Sequence, residues 1–349
     1  MSIVGHLSFA MLQLKLNTEQ DGESVAEKIR DFDILETLEL RRPELRRALW
    51  SDLFTGRLKE EIPKTLKTLC TAMSFCGARL VELDLSDNAI GPMAVPGIKE
   101  YLSSVDACEL SVLKLNNCGL GIAGVTIAEC LMECHRKSLE FGTPLRLKTF
   151  IAGRNRLEYT STTALAKAFK QIGTLEEIVM PQNGIKAEGI INLADAVRGS
   201  PYLKVLNLND NTFGEKGAMA MAQAVSSLTS LESVDFGDCL CRNKGSKEIC
   251  IKLVRSGSAL KQLNLSGNEI TYDTAKELIS QVKQIDSMES LKLGTNSFGG
   301  QFGELEVDSQ TITFLDVGNE SDDQGSLSGD EEGDEISNGR SADEEDDDH

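Results

Sequence analysis

Leucines and their apolar equivalents recur along most of the chain as L-x-x-L-x-L-x-x-N, seen as Leu80, Leu83, Leu85 and Asn88 and again as Leu203, Leu206, Leu208 and Asn211. The pattern occurs eight times. Its last position is Asn88, Cys118, Asn155, Asn183, Asn211, Cys239, Asn268 and Asn296, at successive spacings of 30, 37, 28, 28, 28, 29 and 28 residues. The L-x-L alternation predicts a short strand with both leucines turned inward, and the Asn or Cys that follows can point into the turn and satisfy backbone groups. A helix returns the chain to the next strand: between Glu188 and Arg198, helical spacing puts Ile191, Ala194 and Val197 on one face. One such unit cannot bury its own apolar face, whereas a stack of them can.

A regular period of this length with these leucines is the leucine-rich repeat signature with a long unit. It predicts an α/β solenoid, a horseshoe with parallel inner strands and outer helices. The expected organisation is an irregular N-terminal cap with a shortened first repeat over 1–44, a leucine-rich repeat domain over 45–305, and a disordered acidic C-terminal tail over 306–349. Irregularities stand out against the period. The 37-residue unit carries an insertion from His135-Arg136-Lys137 to Pro144, expected to bulge as a loop. Leu35-x-x-Leu38-x-Leu40 begins a strand, yet Leu45-x-x-Ala48-x-Trp50 begins another ten residues later, too close for a returning helix. The stretch Gly299-Gly300-Gln301-Phe302-Gly303 after Asn296 is also irregular.

Composition narrows the function. With 349 residues, 40% hydrophobic and 26% charged, the chain can build a substantial core. Of the net charge of −19, a net −13 lies between Glu320 and His349, where 14 acidic residues face the single base Arg340. Such a segment cannot bury enough apolar surface to fold. It serves either solubility or attraction to basic surfaces on a partner. A polyanion also argues against nucleic acid as a partner. No run of 18 apolar residues and no basic-then-apolar leader is present, so the expectation is an intracellular chain without membrane insertion. Nine cysteines, an odd number, fit reduced thiols. Cys130-x3-Cys134-His135 reads as core thiols beside a surface histidine, because a zinc site needs four ligands and no matching pair is evident; no metal is expected.

The residue immediately before each Asn or Cys falls at the same height on the strand-to-helix rim, so these residues form a column: Asp87, Asn117, Arg154, Gln182, Asp210, Asp238, Gly267, Thr295. Six polar or charged side chains followed by Gly and Thr suggest a functional stretch over the first two thirds of the arc. The competing reading is that rim positions are polar simply because they are exposed. Upstream, the loop within Phe54 to Pro63 presents Arg57 and Lys59 beside Gly56, without the spacing of a phosphate-binding P-loop. The three histidines, His6, His135 and His349, lie off the rim, and no G-x-S-x-G or H-E-x-x-H motif occurs. A self-contained hydrolase is therefore not expected.

The strings Trp50-Ser-Asp-Leu-Phe-Thr-Gly-Arg57, Leu80-Val-Glu-Leu-Asp-Leu-Ser-Asp-Asn-Ala-Ile-Gly91, Leu115-Asn-Asn-Cys-Gly-Leu-Gly121, Ala152-Gly-Arg-Asn-Arg-Leu-Glu158 and Leu208-Asn-Asp-Asn-Thr-Phe213 are long and lie outside the bare repeat consensus. They resemble the GTPase-activating proteins of the small GTPase Ran, from about Leu12 to Asn296, and the acidic tail belongs to that pattern. The resemblance implies an enzyme activator rather than an enzyme, which stimulates GTP hydrolysis on Ran in its GTP-bound form and so supports nucleocytoplasmic transport. GTP and Mg would be held by the partner, with no cofactor of the chain's own. Ran-binding transport factors are implied as further partners, and the cytoplasm up to the nuclear-envelope periphery as the location.

Carried over residue by residue, the resemblance implies that Asn117 hydrogen-bonds and orients Ran's catalytic glutamine. Arg57 matches the family's loop arginine; since the family is described as working without an arginine finger, its implied role is interface placement. Lys59, Arg154, Arg156 and Asp210 match positions that contact Ran or support the interface. Asn117, Arg154 and Asp210 all fall in the column obtained from spacing alone. The alternative, from a different class, is a non-catalytic protein-binding scaffold such as a ribonuclease-inhibitor-like or receptor-type arc. The chain departs from the family in its shortened first unit, directly ahead of Arg57.

Overall fold

The computed structural model describes residues 45–54, 56 and 58–318. Its strands are β1 (Arg47–Leu49), β2 (Glu82–Asp84), β3 (Val112–Lys114), β4 (Thr149–Ile151), β5 (Glu177–Val179), β6 (Val205–Asn207), β7 (Ser233–Asp235), β8 (Gln262–Asn264), β9 (Ser290–Lys292) and β10 (Leu315–Asp316). All are parallel and ordered β1 to β10 in a single sheet. The returning helices are α1 (Ile62–Phe75), α2 (Gly91–Leu102), α3 (Gly124–Glu140), α4 (Glu158–Ile172), α5 (Ala187–Arg198), α6 (Gly214–Val225), α7 (Arg242–Ser256), α8 (Tyr272–Val282) and α9 (Phe302–Thr311). The result is the expected open arc, with the sheet inside and the helices outside. None of the described helices is long and apolar enough to cross a membrane.

The strands are short because each is only the alternating centre of one repeat. Its middle residue pairs in register with its neighbours: Leu83, Leu113, Phe150, Ile178, Leu206, Val234, Leu263 and Leu291 form one buried row. Leu85, Leu115, Ala152, Met180, Leu208, Phe236, Leu265 and Leu293 form a second. On the outer layer, glycine lets helices close in on one another. A Cβ on Gly245 would lie 2.5 Å from the Ala218 side chain, and one on Gly97 would lie 2.6 Å from the Pro63 carbonyl. Only a bare α-carbon fits there.

The strand beginning at Leu45-x-x-Ala48 is the first described element, and Leu35-x-x-Leu38-x-Leu40 lies outside the described residues, as does the segment 1–44. At the other end the repeat fold does not stop at 305. Helix α9 returns the chain to β10, where Leu315 pairs with Leu291, so ordered repeats run to Gly318 and the region after 305 is not all tail. The reason is visible as Ile312-x-x-Leu315-x-Val317, one further copy of the inward pattern, with Leu315 and Val317 buried. Residues 319–349 lie outside the description.

Other details differ from expectation. The insertion in the 37-residue unit lengthens α3 to 17 residues instead of forming a bulged loop alone. Its return is clipped down where Leu145 N–H donates to Ser138 Oγ (2.9 Å) and His135 Nδ1 to Leu145 O (3.0 Å). His135 is thus half-buried, whereas a surface side chain was expected. In α5 the buried face is Ile190, Leu193, Ala194 and Val197, while Ile191 is 41% exposed. Two adjacent isoleucines leave the phase of so short a helix ambiguous.

The turn asparagines are buried and bind two units at once. Asn183 Nδ2 donates to Met180 O (3.0 Å) and Pro181 O (3.1 Å) in its own turn and to Ala152 O (2.9 Å) in the preceding unit; its Oδ1 accepts from Asn155 N (3.0 Å). Asn211 likewise receives Asn183 N and Ile185 N on its Oδ1. Cys118 and Cys239 do this less fully, each sending Sγ to a carbonyl of the previous unit, Leu85 O at 3.1 Å and Leu208 O at 3.3 Å.

A second ladder runs along the start of the strands, alternating in sign: Lys148, Glu176, Lys204, Glu232, Lys261, Glu289. Glu176 pairs with both Lys148 and Lys204 at 2.8 Å, and these two bonds hold its carboxyl below the usual range. Glu232 pairs with Lys261 at 2.7 Å.

Truncating Asn183 to Ala strands backbone groups in two buried turns, so it should cost about 2–4 kcal/mol in denaturant unfolding. Cys118→Ala, losing only weak thiol bonds, should cost clearly less; a reversed ranking would show that the asparagine bonds are not what holds the turns.

Candidate functional site: the strand-to-helix rim

Immediately before each buried Asn or Cys the chain turns through left-handed backbone. Asp87 (φ 59°), Asn117 (52°), Arg154 (56°), Gln182 (54°), Asp210 (53°), Asp238 (53°) and Thr295 (53°) all adopt it, with Gly267 (64°) in the same place. Left-handed geometry is uncommon outside glycine, especially for a β-branched Thr, and is sustained here by bonds to the next unit. The N–H of Asp87 donates to Asn116 O, Asn117 to Gly153 O, Arg154 to Pro181 O, Gln182 to Asn209 O, Asp210 to Gly237 O and Asp238 to Ser266 O, each at 2.8–2.9 Å. The ladder of the sheet therefore continues past the strands, and the column expected from spacing exists as a set of backbone-fixed rungs about 4.8 Å apart.

On this frame Asp87, Asn117, Arg154, Gln182 and Asp210 are exposed and bonded sideways in two groups. Asn117 Nδ2 donates to Asp87 Oδ1 at 3.1 Å. Arg154 Nε donates to Gln182 Oε1 at 2.6 Å, and Gln182 Nε2 donates to Asp210 Oδ2 at 2.9 Å. Gln182 thus spends both ends of its amide inside the rim. Arg156, two residues beyond Arg154, is exposed and also left-handed at φ 51°. Gly153 sits beside this group with no room for a side chain, since a Cβ would lie 2.6 Å from Asn116 Oδ1 and 2.9 Å from the Pro181 ring.

Lys59 lies in the turn ahead of α1, 72% exposed, with Glu60 Oε1 3.8 Å from its ammonium. Arg57, like Thr55, lies outside the described residues. The loop that carries both starts from the rim itself: Phe54 N–H donates to Asn88 Oδ1 at 2.7 Å. Asp52 just before it is left-handed (φ 56°), with its N–H on Ser86 O at 3.0 Å, and is a further rung of the column. The sequence pattern missed Asp52 because Leu53 stands where the other units have Asn or Cys, although the spacing from Ala48 and Trp50 would have found it.

At the far end, Asp238 lies over Gly267, where a Cβ would come within 2.0 Å of its Oδ1. Glycine there makes room for a carboxylate and does not mark the end of a polar stretch. Burial, then the charges of Asp210 and Asp235, push the Asp238 carboxyl above its ordinary value, against a hydrogen bond with the Asn209 side chain. On the inner face, Glu82 is held between Lys114 (2.7 Å) and Arg47 (2.6 Å), and the Lys114 bond above all keeps its carboxyl low.

Cys130 and Cys134 are buried on the inner face of α3, and burial pushes their thiols up to about 11 and about 12. A ligating cysteine needs a thiolate, which such surroundings disfavour. Among the described residues no group of three His, Cys, Asp or Glu is arranged to hold a metal ion.

Residues 80–92, 199–222 and 259–278 match the family model described as Leucine Rich repeat. With the repeated strand, turn and helix, this makes the chain a leucine-rich repeat solenoid protein. Ran GTPase-activating protein 1 of Xenopus laevis is 51% identical to it over 200 residues, covering 52% of this chain and 34% of that protein. Ran GTPase-activating protein 2 of Caenorhabditis elegans is 43% identical over 352 residues, covering 94% and 36%. Ran GTPase-activating protein 1 of Saccharomyces cerevisiae is 34% identical over 206 residues, covering 57% and 49%. Within the repeat class, the chain belongs to the Ran GTPase-activating protein family. It spans about a third of the length of the frog and nematode relatives.

Because the fold raises the Asp238 carboxyl above its unfolded value, the folded state binds a proton more readily there, and this residue costs stability as pH rises through that range. Because the Asp238 side chain is exposed and its charge screened, Asp238→Asn should raise the thermal midpoint at pH 7 only slightly, by about 1 °C or less. That gain should shrink as pH falls toward about 4, where the unfolded carboxyl is also protonated. A gain that stayed constant across this range in calorimetry would contradict the assignment.

Proposed function

We propose that this arc is a GTPase activator that docks on Ran in its GTP-bound form and stimulates hydrolysis by orienting the glutamine with which Ran positions the attacking water. The observation that carries the reading is the placement of Asn117. It is an exposed amide on a backbone-fixed rung, between Asp87 and Arg154 and in the same column as Asp210, in a chain of the Ran GTPase-activating protein family.

The chemistry belongs to the partner. A GTPase of this kind already holds nucleotide and magnesium, and what it lacks is a fixed arrangement of its glutamine and exclusion of stray solvent. A stimulation of about 10⁵-fold corresponds to about 7 kcal/mol of barrier. One neutral hydrogen bond nets about 0.5–1.5 kcal/mol. Asn117 therefore acts through the partner's glutamine and through a docked, drier site in which oriented dipoles count for more than in water. A rung locked at both ends by neighbouring units suits that task, because its position costs nothing further to organise on docking.

In this reading Lys59, Arg154, Arg156 and Asp210 hold the interface, and Arg57 serves in placing that interface without acting as a finger. The chain supplies no cofactor and no self-contained active site, and it works on the cytoplasmic side of nuclear transport. The acidic residues after 319 add solubility.

The test is single-turnover phosphate release from purified Ran loaded with GTP. The full chain should accelerate release. Asn117→Ala should bind Ran-GTP within a few fold of wild type while losing most of the acceleration; full activity in that variant would remove the mechanism. Arg57→Ala should lose binding and activity together, whereas a pure rate defect at saturation would establish a finger. Binding without any acceleration by the wild-type chain would instead establish a scaffold.

A further inference from the structure

We propose that Asp87 is a positioning residue that fixes which end of the Asn117 amide faces the partner, leaving its carbonyl oxygen outward. The proposal rests on the reading of Asn117 given above and adds a residue to it.

An exposed asparagine has a broad, two-fold preference about its terminal torsion, and its two ends are nearly equal in size but opposite in hydrogen-bonding sense. For a residue meant to orient a glutamine, the difference is decisive. The glutamine must keep its own carbonyl for the attacking water, which leaves its NH₂ group to be held from outside. Only an acceptor can hold it. Asn117 turned the other way would offer NH₂ and compete with the water for the glutamine carbonyl.

Asp87 selects between the two. When ionised, a carboxylate only accepts, so it bonds only the NH₂ end of its neighbour, and Asn117 Nδ2 donates to Asp87 Oδ1 at 3.1 Å. Nothing among the described residues donates to Asn117 Oδ1. Both residues are held left-handed, at φ 59° and 52°, with their own N–H groups committed to Asn116 O and Gly153 O at 2.8 Å. The side chains therefore start from fixed, adjacent rungs. Gln182 shows the contrast: between Arg154 on one side and Asp210 on the other, it has both amide ends already engaged within the rim. Asn117, with a carboxylate at one end only, is the rim amide whose oxygen no described residue engages.

The full chain and its variants are compared at saturating concentration in single-turnover phosphate release from Ran-GTP, alongside half-saturating concentration and thermal midpoint. Asp87→Ala should lower the saturated rate about 10–100-fold, the worth of a hydrogen bond to a charged group. Half-saturation should stay within threefold, and the midpoint should fall by no more than a few degrees, the cost of Ala at a left-handed position. Asp87→Glu, which remains an acceptor only, should recover most of the rate, whereas Asp87→Asn, able to donate as readily as accept, should not. A second readout needs no partner: in side-chain amide NMR, the Asn117 NH₂ signals should move on Asp87→Ala. An unchanged rate, a loss confined to half-saturation, failure of Asp87→Glu to rescue, full rescue by Asp87→Asn, or Asn117 signals that do not move would each overturn the proposal. If the wild-type chain fails to accelerate release while the NMR shift is seen, the bond stands and it is the functional reading that falls, taking the positioning role with it.

Discussion

A buried asparagine that reaches both its own turn and the turn beside it is the interaction on which the arc depends. Each repeat ends its strand with carbonyls and N–H groups that no strand partner takes, in turns where the asparagines are buried. Asn155, Asn183, Asn211, Asn268 and Asn296 take them up across the unit boundary, so a turn is complete only when its neighbour is present. The left-handed residue in front of each Asn is a consequence, because the chain must swing the amide inward at that point. What faces the solvent there is held as firmly as the core. A protein that must present a few polar groups without paying for loop ordering gains from building them on such a frame.

Much of this was legible in the chain. The inward leucines and the Asn or Cys follow a fixed count, and period-two burial leaves no choice of face, so strand positions and the rim column follow directly. The helices were less legible: Ile190 and Ile191 are both apolar, and packing against the strand layer alone decides which is buried. The C-terminal limit was misjudged because Ile312, Leu315 and Val317 lack the closing Asn. Asp52 was missed for the same reason, with Leu53 in the Asn position.

The site divides similarly. Spacing placed Asn117, Arg154 and Asp210 in one column, and the structure brings Arg154 and Asp210 together through Gln182. The bonds themselves were not readable. Asp87 and Asn117 lie 30 residues apart, and whether two rim side chains meet depends on rotamers and on the room left by residues such as Gly153. Arg156 shares the left-handed backbone without a place in the column, and Lys59 stands on the loop before α1.

The alternating charges at the strand starts have an implication for how such an arc can change length. Removing the single unit that carries Glu176 would bring Lys148 beside Lys204, and removing the one that carries Lys204 would set Glu176 against Glu232. Excising two consecutive units restores opposite neighbours on either side of the join. Over this part of the molecule, modules are therefore most easily lost or gained as couples, and a shuffled array that ignores parity would carry a like-charge seam at every odd junction.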